Sequence, residues 1–252
     1  MAATELATPA RKRAYNRRLF AVVAPRYDLI TRMLSFGRDR TWKRLLVRKL
    51  PRAAAFSDGE GSRKDRSYPV VLDLACGTGD ITFLLAERYP RGVVTGLDLS
   101  PEMLARARRR FAVPSRSVRF IPGDMNSLDL VDESVDIVTG GYALRNAPDL
   151  EQTLREARRV LRPGGTAAFL EFSLSPRAAG RAVQLRLLRF WGQLWGRILH
   201  GDPEVYAYIA RSLASFPDRP GLERLLRRTG FEVLRGRTLM LGFARITRVR
   251  RL

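Results

Sequence analysis

The sequence predicts an α/β fold: a doubly wound, mostly parallel sheet of seven strands, with helices added on the N-terminal side and a helical lid before a C-terminal β-hairpin. Three observations predict it. Short apolar runs alternate with helical patterns from residue 70 to residue 172, as they must when helices cover both faces of a parallel sheet. The first run, Val70 to Leu74, empties into the turn Ala75-Cys-Gly-Thr-Gly79 and then into the helical stretch Ile81 to Tyr89. The second, Gly92 to Leu97, ends in Asp98, 19 residues after Gly79.

That first strand, with Asp73 near its end, delivers the chain into a ligand loop. Gly77 and Gly79 let the backbone turn sharply and let a ligand approach main-chain N–H groups at the positive end of the following helix. A carboxylate at Asp98 can accept both hydroxyls of a ribose. A dinucleotide site would carry a third glycine where this chain has Thr82. Its absence leaves a ligand with a ribose and no pyrophosphate, a description that S-adenosylmethionine fits. Cys76 within the loop reads as a small apolar filler rather than a nucleophile.

The remaining elements follow in order. From Lys12 to about Leu50 apolar residues recur at helical spacing, punctuated by Pro25 and Gly37, which predicts three short helices. Pro51 to Ser67 has no periodicity and is expected to be an exposed loop. Ser100-Pro-Glu-Met starts a helix that runs to about Phe111. Val118 to Ile121 is a third strand with Gly123-Asp124-Met125 at its tip, and Val135 to Thr139 is a fourth. Asp149 and Gln152 form a variant capping box for a helix that Pro163-Gly164-Gly165 stops. Thr166 to Phe172 is the fifth strand. Ligands gather at the carboxyl ends of such strands, which collects Gly77, Asp98, Asp124, Gly141 and Glu171 on one rim. There Asp124 can meet an adenine amine and Met125 the ring face.

Beyond Pro176, Val183, Leu187, Phe190, Trp191, Leu194, Trp195 and Ile198 share one helical face, with Arg181, Arg186, Arg189 and Arg197 mostly off it. This is a basic amphipathic helix, read as a lid that also touches membrane. Helices are expected over residues 205–213 and 221–228. Strands over 231–234 and 239–247 then form the hairpin.

The 252 residues are expected to make one α/β domain: helices at 1–50, a loop at 51–68, a cofactor-binding core at 69–176, and lid helices with the hairpin at 177–252. The net charge of +21 is concentrated in the flanks. Residues 1–50 carry 13 basic and 3 acidic side chains, 51–176 carry 17 of each, and 177–252 carry 16 and 5. A neutral core with basic flanks points to an anionic partner, phospholipid or nucleic acid. One cysteine excludes an internal disulfide and suits a cytoplasmic setting, with contact at the cytoplasmic face of a membrane. No apolar run is long enough to span a bilayer, and Met1 to Arg13 has no signal-type segment.

Leu72-Asp-Leu-Ala-Cys-Gly-Thr-Gly-Asp80 with Asp98 resembles the class I, Rossmann-like S-adenosylmethionine-dependent methyltransferases. Pro25-Arg-Tyr-Asp28, Leu34-Ser-Phe-Gly37 with Trp42-Lys43, Ala143-Leu-Arg-Asn146, Arg162-Pro-Gly-Gly165, Leu170-Glu-Phe-Ser173 and Phe216-Pro217 are similar to the UbiE/MenG/Coq5 quinone-biosynthesis C-methyltransferases. The resemblance runs from about Tyr15 to Phe243. It implies methylation of a ring carbon on a polyprenylated quinol of the menaquinone or ubiquinone pathway, and it carries cofactor contacts to Thr78, Asp98, Asp124 and Met125. Gly141 stands where many relatives have serine, so only its backbone can contribute. The segment from Arg245 to Leu252 is basic and lacks the histidine often found there.

An aromatic carbon becomes nucleophilic when a ring hydroxyl is ionised, and a phenol titrates at about 10. Arg145, on the loop after the fourth strand, is placed to stabilise the phenolate, with Asn146 as its hydrogen-bonding partner; the family resemblance points to the same arginine. Tyr142 and Glu171 are further candidates, and His200, the sole histidine, is not expected to act as base. No clustered His/Cys set implies a metal. The rival reading is an RNA methyltransferase, suggested by the charge; against it, Gly140-Gly-Tyr-Ala143 lacks an Asn/Asp-Pro-Pro-aromatic motif, so no nucleic acid is expected. Whether the chain forms a homodimer is left open.

Overall fold

The computed structural model describes residues 8–56, 68–111, 118–175, 177–202 and 204–252. Among the described residues eight strands form one sheet: β1 (Val70–Leu74), β2 (Val93–Asp98), β3 (Val118–Pro122), β4 (Val135–Gly141), β5 (Leu161–Phe172), β6 (Phe231–Val233), β7 (Arg237–Leu239) and β8 (Ala244–Arg251). The order is β3-β2-β1-β4-β5-β8-β6, with β7 also on β8. The first five strands are parallel, and β8 enters antiparallel beside β5, from Thr166 opposite Arg250 to Phe172 opposite Ala244. The chain reverses direction away from β1 between β1 and β4, which opens a crevice at their carboxyl ends.

Two differences from the expected sheet have one cause. The count is eight rather than seven because the outer partner of β8 is broken: β6 pairs near Val249 and β7 near Ile246. The second strand of the expected hairpin, 239–247, contains a 3-10 turn at Met240–Gly242, with positive φ at Met240 and Leu241; β8 begins after it at Ala244 and runs to Arg251. Alternating apolar residues on both sides of the turn disguised it.

The helices are α1 (Pro9–Val23), α2 (Tyr27–Leu34), α3 (Asp39–Arg48), α4 (Asp80–Arg88), α5 (Pro101–Arg110), α6 (Leu150–Val160), α7 (Ala178–His200), α8 (Glu204–Ala214) and α9 (Arg219–Arg228). Four of them start on a side-chain cap, Thr8, Ser100, Asp149 and Asp218 each accepting a first-turn N–H, whereas α2, α3, α4 and α7 have no such bond. The capping box at α6 is only half formed, since the Gln152 side-chain amide donates to Asn126 O instead of turning back to Asp149. Of the loop expected over 51–67, residues 51–56 are described and include a 3-10 turn at Ala53–Phe56; the remainder lies outside the described residues.

One face of the sheet packs Val71, Ile137, Ala168 and Leu170 under α3 and α4; the other packs Leu72, Val138 and Phe169 under α6 and α9. A third, smaller cluster joins α1 and α2 to Met103 of α5 and to the tryptophans of α7. The α7 helix corrects the single apolar face expected of it. Gln184 and Leu188 are buried and Trp191 and Trp195 are half-buried, whereas Val183, Leu187, Phe190, Leu194 and Ile198 are exposed. Among the described residues no helix is long and apolar enough to cross a membrane.

Candidate active site

Two clefts meet at the carboxyl rim. The first, about 650 Å³, is lined by Gly77, Asp98, Asp124, Met125, Gly141 and Asn146, with Asn16, Phe20 and Tyr27 closing it from above. The second, about 490 Å³, is apolar and lies between α1, α2 and α8, with Arg145 and Phe172 at its inner end. Phe20, Tyr27 and Tyr142 line both. The clefts therefore share an aromatic wall.

The first cleft is built by the glycine loop. Gly77 has φ +57° and donates its N–H to Asp98 Oδ2 at 2.7 Å, while Ser100 N donates to Asp98 Oδ1 at 2.8 Å. Asp98 is buried yet lines the cleft, and burial pushes its carboxyl up against those backbone donors. Each carboxylate oxygen has a second acceptor direction, so both can still receive ribose hydroxyls. Asp124 accepts from Asn126 N at 2.9 Å through Oδ1. Arg13 Nε stands 2.7 Å from Asp124 Oδ2 but off the N–H axis, so this oxygen has a counter-ion and no hydrogen bond. It retains capacity for an adenine amine. The glycine expected at the third fingerprint position is unnecessary because closeness is supplied from the sheet: a Cβ on Gly96 would stand 2.9 Å from Thr82 Oγ1.

The N-terminal helices are fastened to this loop by a ladder of polar contacts. Thr78 Oγ1 donates to Asp28 at 2.6 Å; Arg110 reaches Asp28, Thr78 O and Asp80; and Asp80 meets Lys43 Nζ at 2.9 Å. Lys43 continues to Asp39 at 2.7 Å, which accepts from the Tyr142 hydroxyl at 2.9 Å. Burial would lower the Lys43 pKa, but Asp39 and Asp80 outweigh it and hold the amine charged. This ladder holds α2 and α3 against the loop, α1 is tied down separately by Arg13 on Asp124 and Asn16 on Asn146 O, and α1 and α2 together roof both clefts.

The profile of the ubiE/COQ5 methyltransferase family matches residues 9–249. This chain belongs to the ubiE/COQ5 methyltransferase family. It is 37% identical over 236 residues to the demethylmenaquinone methyltransferase of Thermus thermophilus, covering 90% of this chain and 97% of that one. It is 35% identical to the ubiquinone/menaquinone biosynthesis C-methyltransferase UbiE of Desulfotalea psychrophila, over 89% and 85% of the two chains. A crystal structure of an S-adenosylmethionine-dependent methyltransferase from Thermotoga maritima, described as a possible histamine N-methyltransferase, superposes with a TM-score of 0.62 at 20% identity, over 93% and 99% of the chains, and shares the fold. The methyl donor is S-adenosylmethionine. The first cleft fits it: paired acceptors at Asp98, an oxygen at Asp124 that accepts no hydrogen bond, and a methionine beside it.

The methyltransferase does not bring every expected residue to the donor cleft. Asp73 is fully enclosed, accepting from Thr82 Oγ1 at 2.7 Å and Thr139 Oγ1 at 2.8 Å; it ties β1 to α4 and β4, and burial pushes its carboxyl up to about 6. The Thr78 side chain faces Asp28, not the cleft. Gly79, at φ +90°, serves the turn and leaves room for Phe83. Gly141 does line the cleft, and a Cβ there would stand 2.4 Å from Ile81 Cδ1. That isoleucine fills the room a serine side chain needs. Burial holds the Cys76 thiol well above its ordinary pKa, so it is no nucleophile.

Around the second cleft, Arg145 is buried, donates to Ser212 Oγ at 3.2 Å and stands over the Phe172 ring at 5.6 Å. Asn146 donates to Tyr142 O at 2.8 Å, and its own carbonyl accepts from Asn16 Nδ2 at 2.6 Å. The Tyr208 hydroxyl lies 2.8 Å from Asn16 Oδ1 and 3.2 Å from Asn146 Oδ1. Tyr142 presents its ring, stacked on Phe172 at 4.9 Å, while its hydroxyl is committed to Asp39; burial and that carboxylate keep it neutral. Its ring lines both clefts, and its hydroxyl is held by Asp39. His200 ends α7, and its side chain lies outside the described residues. Sequence reasoning missed Asn16 and Tyr208. An Asn inside a helix, where its side chain competes with the backbone, was the available signal.

Proposed function

We propose that this methyltransferase transfers a methyl group from S-adenosylmethionine to a ring carbon of a polyprenylated quinol, converting demethylmenaquinol to menaquinol or the equivalent benzoquinol of ubiquinone biosynthesis. The observation that carries this reading is the apolar second cleft ending on one buried guanidinium, Arg145, next to the donor cleft. The names of the curated relatives support the same substrate class.

The donor, when bound, supplies an already activated electrophilic methyl group. What remains for the chain is to make the ring carbon electron-rich and to align it. In a site enclosed by Phe172, Tyr208 and Tyr27, a guanidinium stabilises a phenolate far more than water would. Arg145 is oriented for this by Ser212 and Phe172, and Asn146, fixed by three partners, offers a neutral hydrogen-bonding edge to the donor cleft. The shared wall sets the approach of ring to methyl, the positioning that accounts for much of catalysis when the electrophile is pre-activated.

The reading includes peripheral contact with an anionic membrane on its cytoplasmic face. In support, the exposed stripe Val183, Leu187, Phe190, Leu194 and Ile198 stands on α7, Val22 and Leu29 are exposed on the roof helices, and Phe36, exposed in the turn after α2, stacks on Trp191 at 6.1 Å. Arg186, Arg189 and Arg197 flank the stripe. Flotation with anionic liposomes should carry the protein at low salt and release it at high salt; no flotation at low salt refutes the contact. For the reaction, labelled methyl transfer to reduced demethylmenaquinone in detergent, beside a transfer RNA pool, should label the quinol. Label in the RNA alone would sink the assignment.

A further inference from the structure

Methylating an aromatic carbon releases a proton: the ring C–H bond and the sulfur–methyl bond break, a carbon–methyl bond forms, and one H⁺ leaves per turnover. The second cleft is poorly equipped to dispose of it. The Arg145 guanidinium offers donors and no acceptor, Asn146 does not ionise and the Tyr142 hydroxyl belongs to Asp39. One ionisable group stands directly behind the guanidinium.

Glu171, at the end of β5, is 4% exposed. Its Oε1 accepts from Leu144 N at 2.6 Å, whereas Oε2 has no hydrogen-bond partner and lies 3.7 Å from the equally unpartnered Arg145 Nε. That distance is too long for a hydrogen bond and leaves a buried acceptor unsatisfied. Glu171 also lines a further cleft of about 560 Å³, on the other side of the arginine from the ring. Ser173, Thr247 and Arg245 extend this cleft, and Arg181, Asp218 and Arg219 stand at its exposed rim. Arg145 thus walls the substrate cleft, Glu171 walls the cleft behind it, and the two back onto each other.

We propose that Glu171 is the proton outlet of the methyltransferase: it takes the proton given up by the quinol, past Arg145, and discharges it through the cleft behind to solvent. The inference rests on the quinol reading above. When the hydroxyl proton passes to Glu171, negative charge moves from one side of Arg145 to the other, so the guanidinium keeps a counter-ion throughout; after methyl transfer the proton on the methylated ring carbon moves to the former phenolate oxygen as the ring re-aromatises, so the one proton lost per turnover is the one Glu171 carries. The charged and titratable groups facing Glu171 are Arg145 on its loop, Lys12 on α1, Tyr142, Tyr208 on α8, and Arg245, its register partner on β8. Burial outweighs these cations and pushes the carboxyl up to about 7, where it can both accept and release a proton.

Glu171→Gln keeps an acceptor for Leu144 N–H and the side-chain volume but cannot carry a proton. With labelled transfer to reduced demethylmenaquinone, kcat should fall at least tenfold, S-adenosylmethionine affinity should stay within twofold of wild type, and the ionisation near neutrality should vanish from the kcat–pH profile. Wild-type kcat with an unchanged profile overturns the proposal. So does a lowered kcat whose profile still shows that ionisation, since it marks a structural role. Glu171→Ala supplies an independent check: formate, entering by the cleft behind, should restore kcat at least tenfold where chloride at equal ionic strength does not, and failure of formate in a folded, donor-binding variant counts against the outlet. Wild type serves as the control that separates the two readings. If it does not methylate the quinol, the substrate assignment fails and the outlet with it; if it does while Glu171→Gln matches it, the outlet alone fails.

Discussion

Replacing Tyr142 by Phe separates the wall from the chemistry. The residue occupies a left-handed conformation, φ +57°, at the junction of the two clefts, and its hydroxyl donates to Asp39 Oδ1 at 2.9 Å in a fully buried position. Deleting the hydroxyl leaves Asp39 with Lys43 on its other oxygen and nothing on Oδ1. An unsatisfied buried acceptor of that kind costs about 1–3 kcal/mol. For a chain of this size each kcal/mol moves the melting temperature by about 2–4 °C. The ring, its stacking on Phe172 and both cleft linings remain, so turnover per folded molecule should stay within about threefold. Thermal denaturation followed by circular dichroism gives the first quantity, and initial-rate assays of methyl transfer below the new transition give the second. A loss of turnover of 100-fold with an unshifted transition would refute the reasoning and return the hydroxyl to the reaction.

Three further perturbations test other parts of the site. Arg145→Ala should lower kcat by at least 100-fold while leaving donor affinity nearly unchanged, and Asp98→Ala should weaken donor binding first; calorimetry and rates giving the reverse order would exchange their roles. Gly141→Ser should cost no more than about 1 kcal/mol, because the Ile81 Cδ1 it meets is the tip of a side chain that can rotate aside; Ile81→Val should remove that cost, and a double-mutant cycle with purely additive costs would rule out the steric reading. Asp73, raised in the folded state to about 6 from an ordinary value near 3.9, disfavours folding when ionised: its penalty is absent below about pH 4, grows as pH rises, and is complete above about pH 6. Two pKa units correspond to about 3 kcal/mol. Asp73→Asn should therefore gain about that much relative to wild type between pH 4 and pH 7 in denaturant titrations, and parallel stability–pH curves would contradict the assignment.

Much of this was legible in the sequence because local chemistry and tertiary role coincide. The Val70–Leu74 run, the glycine turn and Asp98 form a contiguous device whose parts need only each other, and Ser100 and Pro101 announce a helix regardless of its surroundings. What was not legible depends on partners distant in the chain. Asp73 and Thr78 sit in the motif yet look away from the donor because Thr139 and Asp28 claim them. The seven apolar positions of α7 share a period, but a helix surface is divided by what packs on it; the roof helices take the tryptophans and leave Phe190 and Ile198 to solvent. Asn16 has no meaning until residues 146 and 208 arrive beside it.

The aromatic partition of Phe20, Tyr27 and Tyr142 has a thermodynamic consequence. A ligand on either side presses on the same three rings, and two of them ride on the roof helices rather than on the sheet. Occupancy on one side therefore braces the surface against which the other ligand must pack. Donor and acceptor become coupled guests, and the factor by which one tightens the other must be the same in both directions.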